Sequence, residues 1–343
     1  MILKKKYHLA FILLIALFLV VFCLNLALGS VSIPLDKVLK ILFEGNSPDV
    51  ALHHIILNYR LPKAITSILV GAGLGVSGLL MQTYFRNPLA GPFVLGISSG
   101  ASLGVAILII GGASLGGALS ILAVNEWAIV FMGALGSVLI SIIIIITSLY
   151  VRHIASVLII GLMFSSITNA IISVLSYFTS KEALQHYVFW GFGSLGKLSW
   201  KHIIVLLVCY MFAISISVLC VKPLNALLLG EDYAKSLGVS IKKSRIGIIV
   251  STCILTGGIT AFVGPIVFIG LAIPHITKQI FITSDHNILL PATGIIGAII
   301  MLFCDTVAQV PNSELTLPIN AITALVGAPL VIWLLIKKRH LIF

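Results

Sequence analysis

Long apolar runs separated by short polar breaks occupy nearly the whole of this chain. Runs bounded by charged residues or by Gly and Pro predict helices that cross a bilayer, each of which takes about 20 apolar residues. Ten such runs lie near residues 8–28, 61–83, 93–112, 127–150, 154–179, 200–221, 245–263, 266–282, 288–308 and 318–336. The pattern predicts an all-α polytopic membrane protein, with about ten transmembrane helices in a single domain over residues 1–343.

Composition supports a membrane protein and argues against a metal site. Hydrophobic residues make up 59% of the 343 residues and charged residues only 9%, whereas soluble domains carry about 25% charged residues. The five cysteines fall singly within apolar stretches without a Cys-x-x-Cys pair, so neither a disulfide framework nor a thiolate metal site is expected. His53 and His54 are adjacent but have no third ligand at a recognisable spacing.

The positive charges follow the predicted membrane topology. With the N-terminus in the cytoplasm, fourteen of the 21 Lys and Arg residues lie on the inner side, so the positive-inside rule predicts that both termini are cytoplasmic. The net charge of +11 is not gathered into a patch with interleaved aromatic residues, which argues against nucleic acid as a partner. The first apolar run exceeds the roughly 7–15 residues of a signal peptide core, which favours an uncleaved first helix over a cleaved signal.

Pro and Gly interrupt the chain at RNPLAGPFVLGISSGAS, residues 86–102. The topology places this stretch at a cytoplasmic turn: Arg86 and Asn87 begin it, and Pro88 and Pro92 are expected to end the second helix. Small residues at its far end let helix backbones approach closely. We therefore predict a structural joint formed by Arg86, Asn87, Pro88, Gly96 and Gly100. The second run carries a related face of small residues, for which helix packing is a better interpretation than the dinucleotide fingerprint that residues 73–78 formally match.

Polar residues inside the predicted spans are the candidates for a transport route. Ser165, Asn169 and Ser173 recur every four residues and share one helix face. Such a stripe either joins helices or lines a translocation pathway, and we predict the pathway. Asp305 is the one acid placed inside a span, so it requires a polar partner. Together with His275, it would be a coupling site if the protein were an ion- or proton-coupled secondary carrier.

The longest predicted cytoplasmic segment, residues 221–245, is also the most charged. Its LLLGEDYAKSLG stretch has the apolar spacing of a short amphipathic helix with glycines at its ends. From the residues alone, a solvated loop and a docking surface are equally good interpretations. No ATP site is expected in this chain, because residues 191–199 only approach a phosphate-binding loop and place Leu198 where a magnesium-coordinating hydroxyl is needed.

Several ordered motifs resemble those of a known family. The stretch RLPKAITSILVGAGLGVSGLLMQTYFRNPLAGPFVLGISSGAS at residues 60–102 is similar to the signature of FecCD-type permeases, the membrane subunits of binding-protein-dependent ABC importers for iron chelates and cobalamin. Further similar motifs are LGEDYAKSLGV at 229–239, FVGPIVFIGLAIPHI at 262–276 and TALVGAP at 323–329. The resemblance covers nearly the whole chain.

The resemblance implies a fold, partners and a substrate. The fold would be a bundle like that of a cobalamin importer permease, in the bacterial cytoplasmic (inner) membrane. A second permease copy, identical or different, would complete the pathway. A separate ABC ATP-binding subunit would hold ATP and Mg²⁺, so this chain would be no enzyme and bind no cofactor. A periplasmic or lipoprotein substrate-binding protein would deliver an iron chelate (ferric siderophore or haem), with cobalamin as the alternative.

Individual roles also follow from the resemblance. Residues 221–245 become the cytoplasmic coupling loop, in which the residues that match the family's ATPase-coupling motif are Gly230, Glu231, Ala234, Leu237 and Gly238. Arg60 and Lys63 become the docking residues for the binding protein, although Lys63 replaces an arginine and loses its bidentate geometry. Three further departures from the family pattern, Gln309, Thr316 and Asn320, put the details of docking in doubt, and Glu314 lies two residues away from the expected acidic position.

Overall fold

The computed structural model describes residues 2–44, 49–115, 121–151, 154–311, 313 and 315–337. The long helices are α1 (Ile2–Ala27), α4 (Leu61–Tyr84), α5 (Ile97–Ala106), α7 (Glu126–Tyr150), α8 (Ile154–Tyr177), α10 (Trp200–Leu219), α13 (Ile241–Val263), α14 (Ile269–Phe281), α15 (His286–Ala308) and α16 (Ile319–Lys337). The shorter helices are α2 (Leu35–Glu44), α3 (Val50–Ile55), α6 (Gly112–Leu115), α9 (Lys181–Gly191), α11 (Val221–Leu227) and α12 (Glu231–Ser236). A π-helical turn, Ile56–Arg60, joins α3 to α4, and another, Ile107–Gly111, joins α5 to α6. The backbone therefore stays helical through both connections.

Each of the ten predicted runs coincides with a helix, which confirms the all-α membrane fold. Within the described part of the chain, seven helices are long and apolar enough to span a bilayer. Ile97–Gly111 and Ile319–Trp333 are apolar but shorter, and α14 is shorter still with 13 residues. Two helices start later than predicted, because Gly96 (φ +77°) precedes α5 and Phe268 (φ +68°) precedes α14. Such left-handed backbone cannot continue a right-handed helix.

The end of the second span differs from the prediction that Pro88 and Pro92 terminate it. Helix α4 stops at Tyr84, before either proline, and Arg86 adopts a left-handed φ of +46°. The Asn87 side chain then accepts a hydrogen bond from Leu89 N–H at 2.8 Å, closing an Asx turn. The turn residues therefore end the helix, and Pro92 instead starts the single 3₁₀ turn Pro92–Leu95.

Helix α4 lies at the centre of the bundle and is buried on nearly every side. Its small-residue face packs directly on neighbouring backbones: Gly71 meets Gly297 of α15, and Gly78 meets Gly270 of α14. No side chain fits at either crossing, so the packing interpretation of this face is confirmed. The helices on the rim, such as α1 and α8, expose most of their apolar side chains, as a bundle in lipid requires.

Candidate functional site

Polar groups concentrate at the two ends of α4. Following the charge distribution, we call the end with Lys63 the outer end and the end with Arg86 the inner end. The outer polar cluster comprises Asn25, Arg60, Lys63, Asp305 and Gln309. The inner coupling surface, named for the role that the family resemblance predicts, comprises α11, α12 and the residues that hold them.

Asp305 is the centre of the outer polar cluster. Its side chain is only 2% exposed, and one carboxylate oxygen lies 3.0 Å from Lys63 Nζ. The other oxygen accepts hydrogen bonds from the amides of Asn25 and Gln309, each at 2.9 Å. The sequence requirement that this buried acid have a polar partner is confirmed, and its donors come from α1, α4 and the C-cap of α15. Such charge-assisted contacts tie the outer ends of three helices together.

Arg60 lies in the same cluster but serves the backbone. It is 8% exposed, and its guanidinium donates to the carbonyls of Leu26 (2.6 Å), Ala27 (2.8 Å) and Val31. These are the final carbonyls of α1 and the loop after it, which a helix end leaves without intrahelical partners. The docking role of Arg60 stays a prediction, and in this structure Arg60 fixes the path of the chain out of α1.

An open cavity of about 550 Å³ lies beside Lys63 and Asp305. Lys197 also lines it, together with an aromatic wall made by Tyr59, Phe189 and Phe192. Lys63 is 21% exposed, so an acidic group that enters the cavity can reach it. Among the two predicted docking residues, Lys63 is thus the one open to an outside partner.

The positions that depart from the family pattern have definite places in this end of the bundle. Gln309 donates to Asp305, as described above, and Thr316 lines the same cavity. The Asn320 side chain accepts a hydrogen bond from Val267 N–H at 3.3 Å, and the backbone N–H of Asn320 donates to Phe192 O at 3.2 Å. Asn320 therefore bridges the loop before α14 and the end of α9. Glu314 lies outside the described residues.

The predicted pathway residues lie on a helix with little cover. Asn169 and Ser173 are exposed on α8, and Ser173 Oγ donates to Asn169 O at 2.9 Å. Ser165 is half-buried against the joint: a Cβ on Gly96 would lie 3.0 Å from Ser165 Oγ. The stripe thus starts in a packed contact and opens onto free surface, and its role as a pathway stays a prediction.

The predicted joint connects α4 to three other parts of the protein. Gly100 sits at the crossing of α5 and α7, where an added Cβ would come within 2.6 Å of Gly136 O. Pro88 O is hydrogen-bonded to His275 Nε2 of α14 at 2.8 Å. Arg86 donates to Leu227 O, the last residue of α11, at 2.7 Å. The joint is therefore bonded directly to the coupling segment.

The coupling segment folds as two short helices at the inner end. Gly230 (φ +118°) and Gly238 (φ +79°) flank α12, and both angles favour glycine over any residue with a side chain. This confirms the short amphipathic helix between two glycines. Ala234 is fully buried and anchors the helix to the bundle. The surface of the segment exposes Leu228, Leu229, Tyr233 and Leu237, which are between 43% and 65% exposed.

Arg245 of α13 connects α12 to two long helices. It donates to Ser148 O at the end of α7 (2.5 Å), lies 3.9 Å from the Glu231 carboxylate, and stacks over the Tyr84 ring at 5.9 Å. Glu231 is thus held by a residue that also contacts α4 and α7. A displacement of α12 would therefore alter the contact of Glu231 with Arg245, the residue that also contacts α4 and α7.

Asn225 of α11 supplies a second link to the spans. Its carbonyl oxygen accepts from His286 N–H (2.9 Å) and is 2.7 Å from His286 Nδ1, while its amide donates to Asp285 (2.7 Å). His286 Nε2 is in turn hydrogen-bonded to Thr83 Oγ1 of α4 at 2.8 Å. Partial burial would raise the pKa of the Asp285 carboxyl, but hydrogen bonds from Asn287 and Asn225 outweigh it and lower that pKa below its ordinary value.

Sequence reasoning missed the residues that carry these links. Asn25, Asn225 and Arg245 were not singled out as functional, although each is a hydrogen-bonding side chain close to the end of an apolar run. A polar side chain at the end of an apolar run is the sequence signal that could have identified them. Their partners are 280, 60 and 97 residues away in the chain, so no local pattern shows the pairing.

The two residues considered for a proton relay do not meet. His275 contacts the turn after α4, whereas Asp305 contacts Lys63 near the start of α4. The intervening helix of 24 residues has a length of about 36 Å. Among the described residues, no group of three or more His, Cys, Asp or Glu side chains is placed to hold a metal ion.

Comparison with known proteins agrees with this architecture. Residues 17–337 match the model of the FecCD transport family. The chain is 34% identical to the hemin transport system permease protein HmuU of Yersinia pestis, over 94% of this chain and 95% of that protein. It is 35% identical to the vitamin B12 import system permease protein BtuC of Citrobacter koseri, over 82% of each.

Solved structures agree at the level of the fold. A putative metal-chelate type ABC transporter, solved in an inward-facing conformation, superposes with a TM-score of 0.81 at 30% identity, covering 94% of this chain and 97% of that chain. PsaBC from Streptococcus pneumoniae superposes with a TM-score of 0.55 at 15% identity, which supports the fold alone. The chain belongs to the FecCD transport family and is a membrane-spanning permease of the ABC importer type, whose ATPase is a separate subunit.

Proposed function

We propose that this protein is the permease subunit of a binding-protein-dependent importer that moves an iron chelate, haem or a ferric siderophore, across the cytoplasmic membrane. The inner coupling surface carries the proposal. A solvated loop would not need exposed apolar side chains on a scaffold fixed by Arg86, Arg245 and Asn225. A rigid, partly apolar patch is what a docked ATP-binding subunit requires.

The substrate is proposed from the relatives. One is named for hemin, one for vitamin B12, and the structural neighbour is described as of metal-chelate type. Hemin and vitamin B12 are both metal chelates, the second a corrinoid, so all three names point to the same class of substrate. We place an iron chelate first and cobalamin second, and propose a second permease copy, identical or different, opposite the exposed stripe of α8.

The outer cavity is proposed as the place where an external binding protein docks. Lys63 and Lys197 line it; Lys63 is partly exposed and Lys197 is exposed. Exposed ion pairs give modest affinity and mainly orient a partner, which suits a protein that must dock and release. Arg60 contributes indirectly, since it holds the loop beside the cavity.

The first test is docking of the ATP-binding subunit. Leu237→Asp places a charge on the exposed coupling surface, so co-purification of the ATP-binding subunit with this chain should fall by about tenfold or more, while the thermal unfolding midpoint stays unchanged. Lys235→Gln in the adjacent turn of α12 is the matched control, because Lys235 is ion-paired with the exposed Asp232 and is not one of the exposed apolar side chains. Undiminished co-purification of the Leu237 variant would contradict docking at this surface.

The second test is uptake by vesicles that contain this chain, the ATP-binding subunit and the binding protein. Haem, a ferric siderophore and cobalamin are each offered with and without ATP. Uptake of an iron chelate that depends on ATP supports the proposal, and uptake of cobalamin alone selects the alternative. Transport by this chain alone under a proton gradient would replace the importer with a secondary carrier.

A further inference from the structure

Helix α2 has a wide apolar face, of which the bundle covers only one part. Val38 and Ile41 are buried, at 0% and 2% exposure. Leu35, Leu39 and Phe43 recur every four residues on the adjoining face, and they are 43%, 42% and 83% exposed. Lys37 and Lys40 are also exposed and occupy the remaining side, whereas Asp36, seven residues before Phe43, lies beside it on the helix.

The covered face fixes the depth of α2 in the bundle. Val38 and Ile41 pack in a cluster with Leu26 and Ala27, which end α1, and with Ala64 in the first turn of α4. These residues lie in the outermost turns of two spanning helices. Helix α2 is therefore at the level where the outer ends of the spans leave the hydrocarbon.

Exposed aromatic residues mark the same level independently. Tyr59 lies just before α4, Trp127 opens α7 and Trp200 opens α10, with exposures of 62%, 44% and 40%. Trp200 Nε1 donates to Leu57 O at 3.2 Å, so its ring stays beside the start of α4. Trp and Tyr gather at the boundary between lipid and water.

Helix α2 is packed on a helix whose own outer turns expose apolar side chains. Leu17, Val20 and Leu24 of α1 are between 41% and 56% exposed and lead towards the end of α1, to which α2 is packed. The loop between them is fixed, because Ile33 N–H donates to Ala27 O at 2.9 Å and Arg60 holds the carbonyl of Val31. Helix α2 therefore does not hang free in water.

We propose that α2 is an interfacial helix that lies in the outer surface of the bilayer. Leu35, Leu39 and Phe43 enter the acyl-chain boundary, and Lys37 and Lys40 contact lipid phosphates from the polar side. An amphipathic helix with lysines on its polar face and large apolar residues on the other binds lipid in this way, and lysine stems reach up to the headgroups. The inference is independent of what the protein transports.

Site-directed spin labelling tests this in vesicles of phosphatidylethanolamine and phosphatidylglycerol. Labels at Phe43→Cys and Leu39→Cys are compared with labels at Lys40→Cys and Lys37→Cys, and the unsubstituted chain, treated identically, gives the background of the native cysteines. All four positions are exposed, so the variants should fold. The ratio of collision with oxygen to collision with a water-soluble nickel chelate should be severalfold higher at positions 39 and 43 than at 37 and 40.

Two results would overturn the proposal. Equal, nickel-dominated accessibility at all four positions would place α2 in water. Low accessibility to both reagents at 39 and 43 would mean that another protein covers the face. For the headgroup contact, the Lys37→Gln/Lys40→Gln pair is measured on the labelled Phe43→Cys chain: a severalfold fall in the oxygen ratio supports it, and no change removes the lysines from the proposal.

Discussion

At the scale of single residues, the polar side chains of this protein act mainly as connectors between helices. Asp305 accepts from α1, α4 and its own C-cap, and Arg60 closes the end of α1. Neither is free, because an unpaired charge or backbone carbonyl at membrane depth is costly. Replacing such a residue should therefore first lower the stability of the folded protein.

Asp305→Ala should destabilise the folded protein by about 3 kcal/mol, because it leaves the Lys63 ammonium and two amide donors without their common acceptor. The measurement is thermal unfolding in detergent. Asp36→Ala, which removes an exposed carboxylate from α2, is the matched control and should leave the midpoint unchanged. Equal midpoints for the two variants would mean that the outer polar cluster does not hold the helices together.

Gly100→Ala should destabilise by about 2 kcal/mol, because its Cβ would overpack the crossing with α7, 2.5 Å from Ile140 Cγ1. Gly258→Ala is a matched glycine inside α13, where a Cβ meets nothing within 4 Å. That control should be neutral or stabilising by about 0.5–1 kcal/mol. Similar thermal shifts in the two variants would remove the close-approach argument.

At the scale of secondary-structure elements, the short helices decide how the spans are connected. Helices α11 and α12 are bonded to α4, α7 and α15 through Arg86, Arg245 and Asn225. If an ATP-binding subunit docks at this segment as proposed, a force on it would act on three spans. The direction of transmission can be tested because the links are single side chains.

Asn225→Ala should lower the amount of chelate taken up per ATP hydrolysed, while hydrolysis by the complete transporter continues. The variant removes the bonds from α11 to Asp285 and His286 but keeps the exposed apolar side chains of the segment, Leu228, Leu229, Tyr233 and Leu237. Asn287→Ala is the control, because its exposed side chain bonds to the same Asp285 without touching α11. A proportional fall of uptake and hydrolysis would indicate a general folding defect instead.

At the scale of the whole molecule, the bundle has a well-packed centre and a sparsely covered rim. Helix α4 is enclosed, whereas α8 carries its polar stripe on open surface. Lipid covers apolar residues adequately, but exposed polar groups such as the Asn169 amide need a polar or watery neighbour. This supports a pathway completed by a second permease copy.

Asn169→Trp should therefore block uptake by filling the pathway, while basal ATP hydrolysis and thermal stability are retained. Ile167→Trp is the control, since Ile167 is 54% exposed on a different face of α8. Uptake is measured in the same vesicles as above. Unimpaired uptake in the Asn169 variant would place the pathway elsewhere.

The apolar pattern by itself determined the helical membrane fold and the approximate bounds of the apolar helices, because only a long apolar helix satisfies its backbone within lipid. The sequence also identified the family, through the resemblance of motifs that cover nearly the whole chain. The pattern failed at the starts of α5 and α14 and at α2, where the left-handed backbone of Gly96 and Phe268 and packing on α1 take precedence over local propensity.

Only the tertiary structure decided which polar residues meet. Lys63, Gln309 and Asn25 look unrelated in the sequence, yet all three contact one carboxylate. Likewise, the broken stretch at Arg86 proved to be bonded to a segment that begins 135 residues later at Val221. Hydropathy is a local property that can be read from the sequence alone. Hydrogen-bond partners instead depend on which helix ends lie side by side, and the close packing of helices at their glycines decides this.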